Sequence, residues 1–226
     1  MIIFLKAIDL ILSFDKILIG ILNVTLRMSF FSSFISVLIG VPIGVIYAYS
    51  NKKIIKGLII INRTLMGMPP VVCGLICFLL FCGVGPLRHL RLLYTVIGMV
   101  IAQVILITPI VVGTIEPYVK NIYGEIEQTV KGLKINKIRI FILLINESKY
   151  QILSVYLIAF SRAIAEVGAV SMVGGAIFFK TNVMTTAIMN YTNMGDFNMA
   201  MALGIILLLM SFFVNLIITI MQKNIV

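Results

Sequence analysis

Apolar residues in this chain gather into five long runs, at 28–50, 58–81, 96–115, 152–177 and 199–221, with most of the charge lying between them. Each run reaches the roughly 20 residues that a helix needs to cross a hydrocarbon layer. The pattern therefore predicts five membrane-spanning helices. Residues 1–22 mix Lys6, Asp9, Asp15 and Lys16 into an apolar background and have no small-residue cleavage site. They read as an amphipathic helix lying in the membrane interface, not as a leader or a sixth span. The polar segment 116–151 has a helical pattern of its own. Ile122, Ile126, Val130 and Leu133 share one face, with Glu127, Lys131 and Lys134 on the other. The register slips across 132–136 and resumes with Ile138, Phe141, Ile142 and Ile145, so two short helices are expected. Their apolar faces must dock on the chain's own spans, on lipid headgroups, or in the groove of a soluble partner.

Composition supports the membrane reading. The chain is 61% hydrophobic and only 12% charged, about half the charged share of a soluble domain. The expected fold class is thus all-α integral membrane, as a single domain over 1–226 without tandem repeats. A net charge of +10 could suggest nucleic acid, but the basic residues lie in short runs between spans, not on one polar module with interleaved aromatics. They orient the chain instead. Lys52, Lys53, Lys56, Lys120, Lys131, Lys134, Lys137, Arg139, Lys149 and Lys223 fall on one side; Lys6, Lys16, Arg27, Arg88, Arg91 and Lys180 fall on the other. The positive-inside rule makes the first side cytoplasmic, with the N-terminus outside and the C-terminus inside.

Enzyme chemistry has little to work with. His89 is the single histidine, the acidic residues form no metal cluster, and there is no His-Glu-x-x-His motif. Cys73, Cys77 and Cys82 lie in or just after an apolar run, and read as small core residues. A phosphate-binding Gly-x4-Gly-Lys-Ser/Thr loop is absent, so the chain is not a nucleotide-driven motor itself.

Four features inside the spans call for an explanation. Ser32, Ser36, Gly40 and Gly44 recur every four residues, a small-residue face that lets another helix approach closely. Ser211, Asn215 and Thr219 make a similar stripe of hydrogen-bonding groups, either interhelical glue or the wall of a wet pathway. Pro69 and Pro70 must bend or break the second span, and broken backbone at membrane depth belongs in protein or against a water-filled cavity. Finally, Arg162 and Glu166 place two charges four residues apart in an apolar run, where they can pair on one helix face. The pair either fixes helix packing or belongs to a moving gate.

The stretch EIEQTVKGLKINKIRIFILLINES resembles the cytoplasmic coupling segment of ABC importer permeases. SRAIAEVGAVSMVGGAI, NRTLMGMPPVVCGL and MTTAI resemble the permease subunits of tungstate and molybdate importers, with tungstate the nearer match. The resemblance implies a five-span type I permease core working as a homodimer. Two ATPase subunits would use ATP and magnesium, and an extracytoplasmic protein would deliver the oxyanion; this chain would bind no cofactor or metal. Molybdate, sulfate or another small anion is the alternative cargo. It also implies ATPase coupling through Glu127, Gln128, Thr129, Val130, Gly132, Leu133 and Phe141. Pathway or gate candidates are Pro69, Pro70, Arg162, Glu166, Gly168, Thr185, Thr186, Ser211 and Asn215. The neutral donors suit a conduit better than a deep cationic well at Arg162, which would hold a dianion instead of passing it. The chain departs from the family pattern where Gly132 follows Glu127 by five residues, where Asn146 and Glu147 replace a closing Leu-Pro, and where Ala176 stands in place of an expected asparagine.

Overall fold

The structure, a computed structural model, describes residues 16–50 and 52–223, apart from a few side chains near the C-terminus. Nine α-helices follow one another among the described residues: α1 Lys16–Tyr49, α2 Lys53–Met66, α3 Pro70–Phe81, α4 Val96–Gly132, α5 Lys137–Glu147, α6 Lys149–Ile164, α7 Gly168–Gly174, α8 Met184–Asn193 and α9 Phe197–Lys223. A 3-10 turn at Arg88–Leu90 lies between α3 and α4. No strand occurs among these residues. By length and apolarity α1, α4 and α9 can each cross a membrane alone, and two bent helix pairs bring the possible spans to five.

The seam between α1 and α4 organises the bundle. Ser32 meets Gln103, Gly40 meets Val111 and Gly44 meets Ile115, each pair separated by the same 71 residues. A constant offset means that the two helices run parallel. The small-residue face is therefore a packing face: a Cβ at Gly40 would come within 2.7 Å of Val111 Cγ1. Parallel α1 and α4 also require the segment between them to carry the chain back across. α2 and α3 do so as one broken span, bent by 101°. Pro69 caps α3, and Pro70 occupies its first turn, where its missing N–H is no loss.

Several boundaries differ from the sequence reading, each for a physical reason. The interfacial helix expected over 1–22 falls mostly outside the described residues, and its last part, 16–22, belongs to α1, where Leu18 and Ile21 are buried against Leu203 and Ile206 of α9. The first of the two short helices expected after 116 is the continuous end of α4, which runs through Pro109 and Pro117 without a break. At 37 residues it is about 55 Å long, well beyond a bilayer core. The run 152–177 is not one helix, because it stops at Ile164 and restarts at Gly168. α8 has no counterpart among the expected elements; the sequence singles out only its opening MTTAI.

The second break leaves backbone groups that need partners, and several find them nearby. The Glu166 carboxylate accepts from Val167 N and Ala169 N at the start of α7. At its end, Tyr94 N donates to Val173 O at 2.9 Å and Thr181 Oγ1 donates to Gly174 O at 2.6 Å. Gly175 then turns the chain at φ 68°, and Ala176 follows at φ 48°. An L-residue with a Cβ is strained there, which gives the asparagine expected at this position its physical sense. Ala176→Gly should stabilise the protein by about 1 kcal/mol, seen as a higher unfolding midpoint in detergent; an unchanged or lower midpoint would contradict the strain.

Candidate functional site

The two breaks in the spans meet each other. A Cβ on Gly168 would lie 2.9 Å from Val71 Cγ2 and 3.3 Å from the Pro70 carbonyl carbon, and one on Gly74 would lie 2.8 Å from Ala169 Cα. The start of α7 is thus pressed onto the start of α3, with backbone against backbone. Cys73, Cys77, Ala102, Ala169 and Val173 fill the space behind the contact. Cys73 and Cys77 are buried there as core residues, and no metal-holding group of His, Cys, Asp or Glu occurs among the described residues. Two irregular segments, one containing Pro69 and Pro70 and the other Gly168, form a single junction.

Glu166 is the polar centre of this junction. It is 2% exposed, and its Oε2 lies 3.5 Å from Nη2 of the half-exposed Arg162. The pair forms as its spacing suggested, but not on one continuous helix: α6 ends at Ile164, and Glu166 reaches back to Arg162 and forward to the α7 amides. Thr185 Oγ1 donates to the Glu166 carbonyl at 2.7 Å, tying α8 to the same point. Thr186 lies beside it with another task. Its hydroxyl accepts from Val183 N and faces Asn182 Oδ1 at 2.9 Å, capping α8. Pro70, Glu166, Gly168 and Thr185 are therefore brought together, with Arg162 at the edge. Ser211 and Asn215 are not. Asn215 is exposed on α9 and donates to the Ser211 carbonyl one turn back.

Two polar contacts escaped the sequence reading. Gln103 is fully buried, donating from Nε2 to Ala163 O at 2.9 Å and accepting from Ser32 Oγ at 2.7 Å. It joins α1, α4 and the end of α6. A lone amide in an uncharged span was the available signal. Glu116, assigned to the cytoplasmic segment, is buried in α4, with Arg63 of the broken span 3.8 Å away. The two lie far apart in sequence, so their spacing gives no sign of the pair.

At the far end of α4 the chain forms an elbow. The helix ends at Gly132, Lys134 turns it at φ 50°, and the Asn136 side chain accepts from Ile138 N to start α5. Val130, Ile140 and Leu144 are buried with Val45, Ala48 and Val119, so one face of the elbow docks on the chain's own bundle. The other face is open: Leu133, Ile138 and Ile142 are 69%, 66% and 52% exposed. Gln128, Thr129 and Gly132 are exposed beside them. Leu133 leaves the face of Val130 because it follows the last helical residue. Phe141 packs on the bundle side, near Ile46 and Tyr49. Glu127 pairs with Lys131 at 2.8 Å, and its carboxylate holds that ammonium above the usual lysine range.

Residues 40–226 match the family described as binding-protein-dependent transport system inner membrane component. The chain belongs to that family. As a member of this inner-membrane transport family it is a multi-pass permease component of an ABC importer, not an enzyme. It is 36% identical to the tungstate uptake system permease protein TupB of Peptoclostridium acidaminophilum, over 98% of this chain and 97% of that one. It is 32% identical to the protein of the same description in Campylobacter jejuni, over 76% of this chain and 70% of the other. A probable sulfate transport system permease protein of Helicosporidium is 25% identical over 94% of this chain and 81% of its own.

Proposed function

We propose that this chain is the membrane-spanning subunit of an ATP-driven tungstate importer. The observation that carries the cargo is the near-full-length likeness to a tungstate uptake permease, at 36% identity over 98% of the chain. Likeness to a sulfate permease is weaker, at 25%, so sulfate and molybdate stand second. In this reading two copies enclose the pathway, and an extracytoplasmic binding protein brings the anion. The N-terminus faces outward and the C-terminus lies in the cytoplasm, which puts the elbow of α4 and α5 where two ATPase subunits can grip it. Those subunits bind ATP and magnesium.

The mechanism follows from which parts are rigid. The α1–α4 seam is close-packed through Gly40 and Gly44 and acts as one rigid body. One face of the elbow is buried against that body, so a push on Leu133 and Ile138 travels along a continuous helix instead of being lost in a loop. The junction of α3 and α7 is the part that gives way. When it opens, Gly168 leaves Pro70, and Thr185 exchanges the Glu166 carbonyl for the passing anion. Ser211 and Asn215, on the outer side of α9, line the wall completed by the second copy. Short-lived neutral contacts suit passage, since a charge fixed deep in a low-dielectric wall binds a dianion too tightly to release it.

Uptake by the reconstituted importer tests the reading. With the cognate ATPase and binding protein in vesicles, labelled tungstate should accumulate only with ATP inside, and molybdate and sulfate should compete poorly. Equal uptake of sulfate would reassign the cargo; accumulation without the ATPase would overturn the mechanism.

A further inference from the structure

A cavity of roughly 630 Å³ opens at the end of the bundle opposite the elbow, between the starts of α1 and α4 and the loop after α7. Arg27, Lys180 and Asn23 are among its lining residues; Phe31, Ile35 and Val100 form an apolar floor. No acidic residue lines it among the described residues. Arg27 and Lys180 are both exposed, and neither takes part in an ion pair found among the described residues.

The depth of these groups is set by the helix itself. From Arg27 to Tyr49, at the other end of α1, is 49 − 27 = 22 residues, about 33 Å of helix, close to the thickness of a bilayer core. Arg27 therefore stands at headgroup level when Tyr49 stands at the opposite interface. The offset of 71 places Arg27 beside Gly98, in the first turn of α4. Phe31 and Ile35 follow one and two turns deeper, where acyl chains lie. Lys180 reaches the same level on a loop pinned by the Thr181 bond to Gly174 O. The cavity is thus graded along the membrane normal, cationic at the headgroups and apolar beneath.

The geometry points to a binding site for one anionic phospholipid, its phosphate between Arg27 and Lys180 and an acyl chain along Phe31, Ile35 and Val100. A free oxyanion would satisfy the cations but leave the apolar floor unused. A neutral lipid would use the floor and leave the cations unmatched. The site is separate from the junction and the elbow, and it does not depend on which anion is carried.

Native mass spectrometry of the full chain with phosphatidylglycerol or phosphatidylcholine tests it. The wild-type chain should retain one phosphatidylglycerol in preference to phosphatidylcholine. Arg27→Gln with Lys180→Gln should weaken retention about thirtyfold, since each cation near an anionic headgroup contributes about a factor of five. Arg88→Gln with Arg91→Gln, which changes charge equally elsewhere, should leave retention intact. Ile35→Trp, which fills the floor and keeps both cations, should also weaken it. The site is refuted if the first double variant retains the lipid as wild type does, or if millimolar tungstate displaces it, as at a free-anion site. Absence of the lipid from the wild-type chain, with the cavity held by residues 1–15 or a second copy, refutes it equally.

Discussion

Glu166→Ala is expected to reduce tungstate uptake more than tenfold and to destabilise the protein by about 3 kcal/mol, because removing one member of a buried polar set leaves the others unsatisfied. The carboxylate accepts from two amides at the start of α7 and faces Arg162. The Ala169 amide is buried and cannot turn to bulk water without opening the junction, whereas Arg162 keeps contact with solvent. Glu166→Gln separates the contributions. Its amide oxygen still serves the two N–H groups, so most of the stability should return. The ion pair with the half-exposed Arg162 accounts for about 1 kcal/mol at most, as for solvent-screened pairs generally. If the junction is the moving part, Glu166→Gln should melt almost like wild type and still transport slowly. Unfolding midpoints and initial uptake rates on the same preparations read both. Wild-type transport by Glu166→Ala would remove the junction from the mechanism.

The second large effect is expected at the elbow. Leu133→Asp with Ile138→Asp should abolish coupling, lowering both uptake and stimulated ATP hydrolysis by at least about tenfold, since a central apolar contact of an interface is commonly worth 2 kcal/mol or more. Both side chains are largely exposed in the single chain. Folding should therefore be unaffected, and the variant should melt like wild type. Val130→Asp should behave differently. That residue is buried between the elbow and the bundle, so a charge there should lower the unfolding midpoint as well. Pull-down of the ATPase subunit together with thermal unfolding distinguishes the two. Undiminished capture by the double aspartate variant would place the ATPase contact elsewhere.

How much of this was legible in the sequence depended on the range of the contacts. Long apolar runs marked the spans, because a bilayer demands them locally. The four-residue repeat from Ser32 to Gly44 marked the seam, because close helix packing leaves a periodic trace. Pro69 and Pro70 marked a break for the same local reason. The break at Ile164 was hidden, since Ala165 and Val167 are as apolar as any helical residue; Glu166 caps α7 locally, but the contacts of Thr185 and Pro70 that complete the junction exist only in the fold. α8 was hidden because a short, mixed-polarity helix has no span-length signal. The meeting of Pro70 with Gly168, the bridge at Gln103 and the pairing of Arg63 with Glu116 join residues far apart in the chain, and nothing in either partner's surroundings names the other. The elbow was half legible. Its amphipathic pattern was clear, yet one apolar period was divided between two surfaces, with Val130 and Leu144 facing the bundle and Leu133 and Ile142 facing away.

The central claim is that the elbow of α4 and α5 lies in the cytoplasm as the handle of a separate ATPase. Leu133→Cys in a background carrying Cys82→Ser tests it most directly, with a membrane-impermeant thiol reagent applied to intact cells and to inside-out vesicles. Labelling should occur only in the inside-out vesicles, and bound ATPase should suppress it. Labelling in intact cells, or labelling indifferent to the ATPase, would contradict the claim.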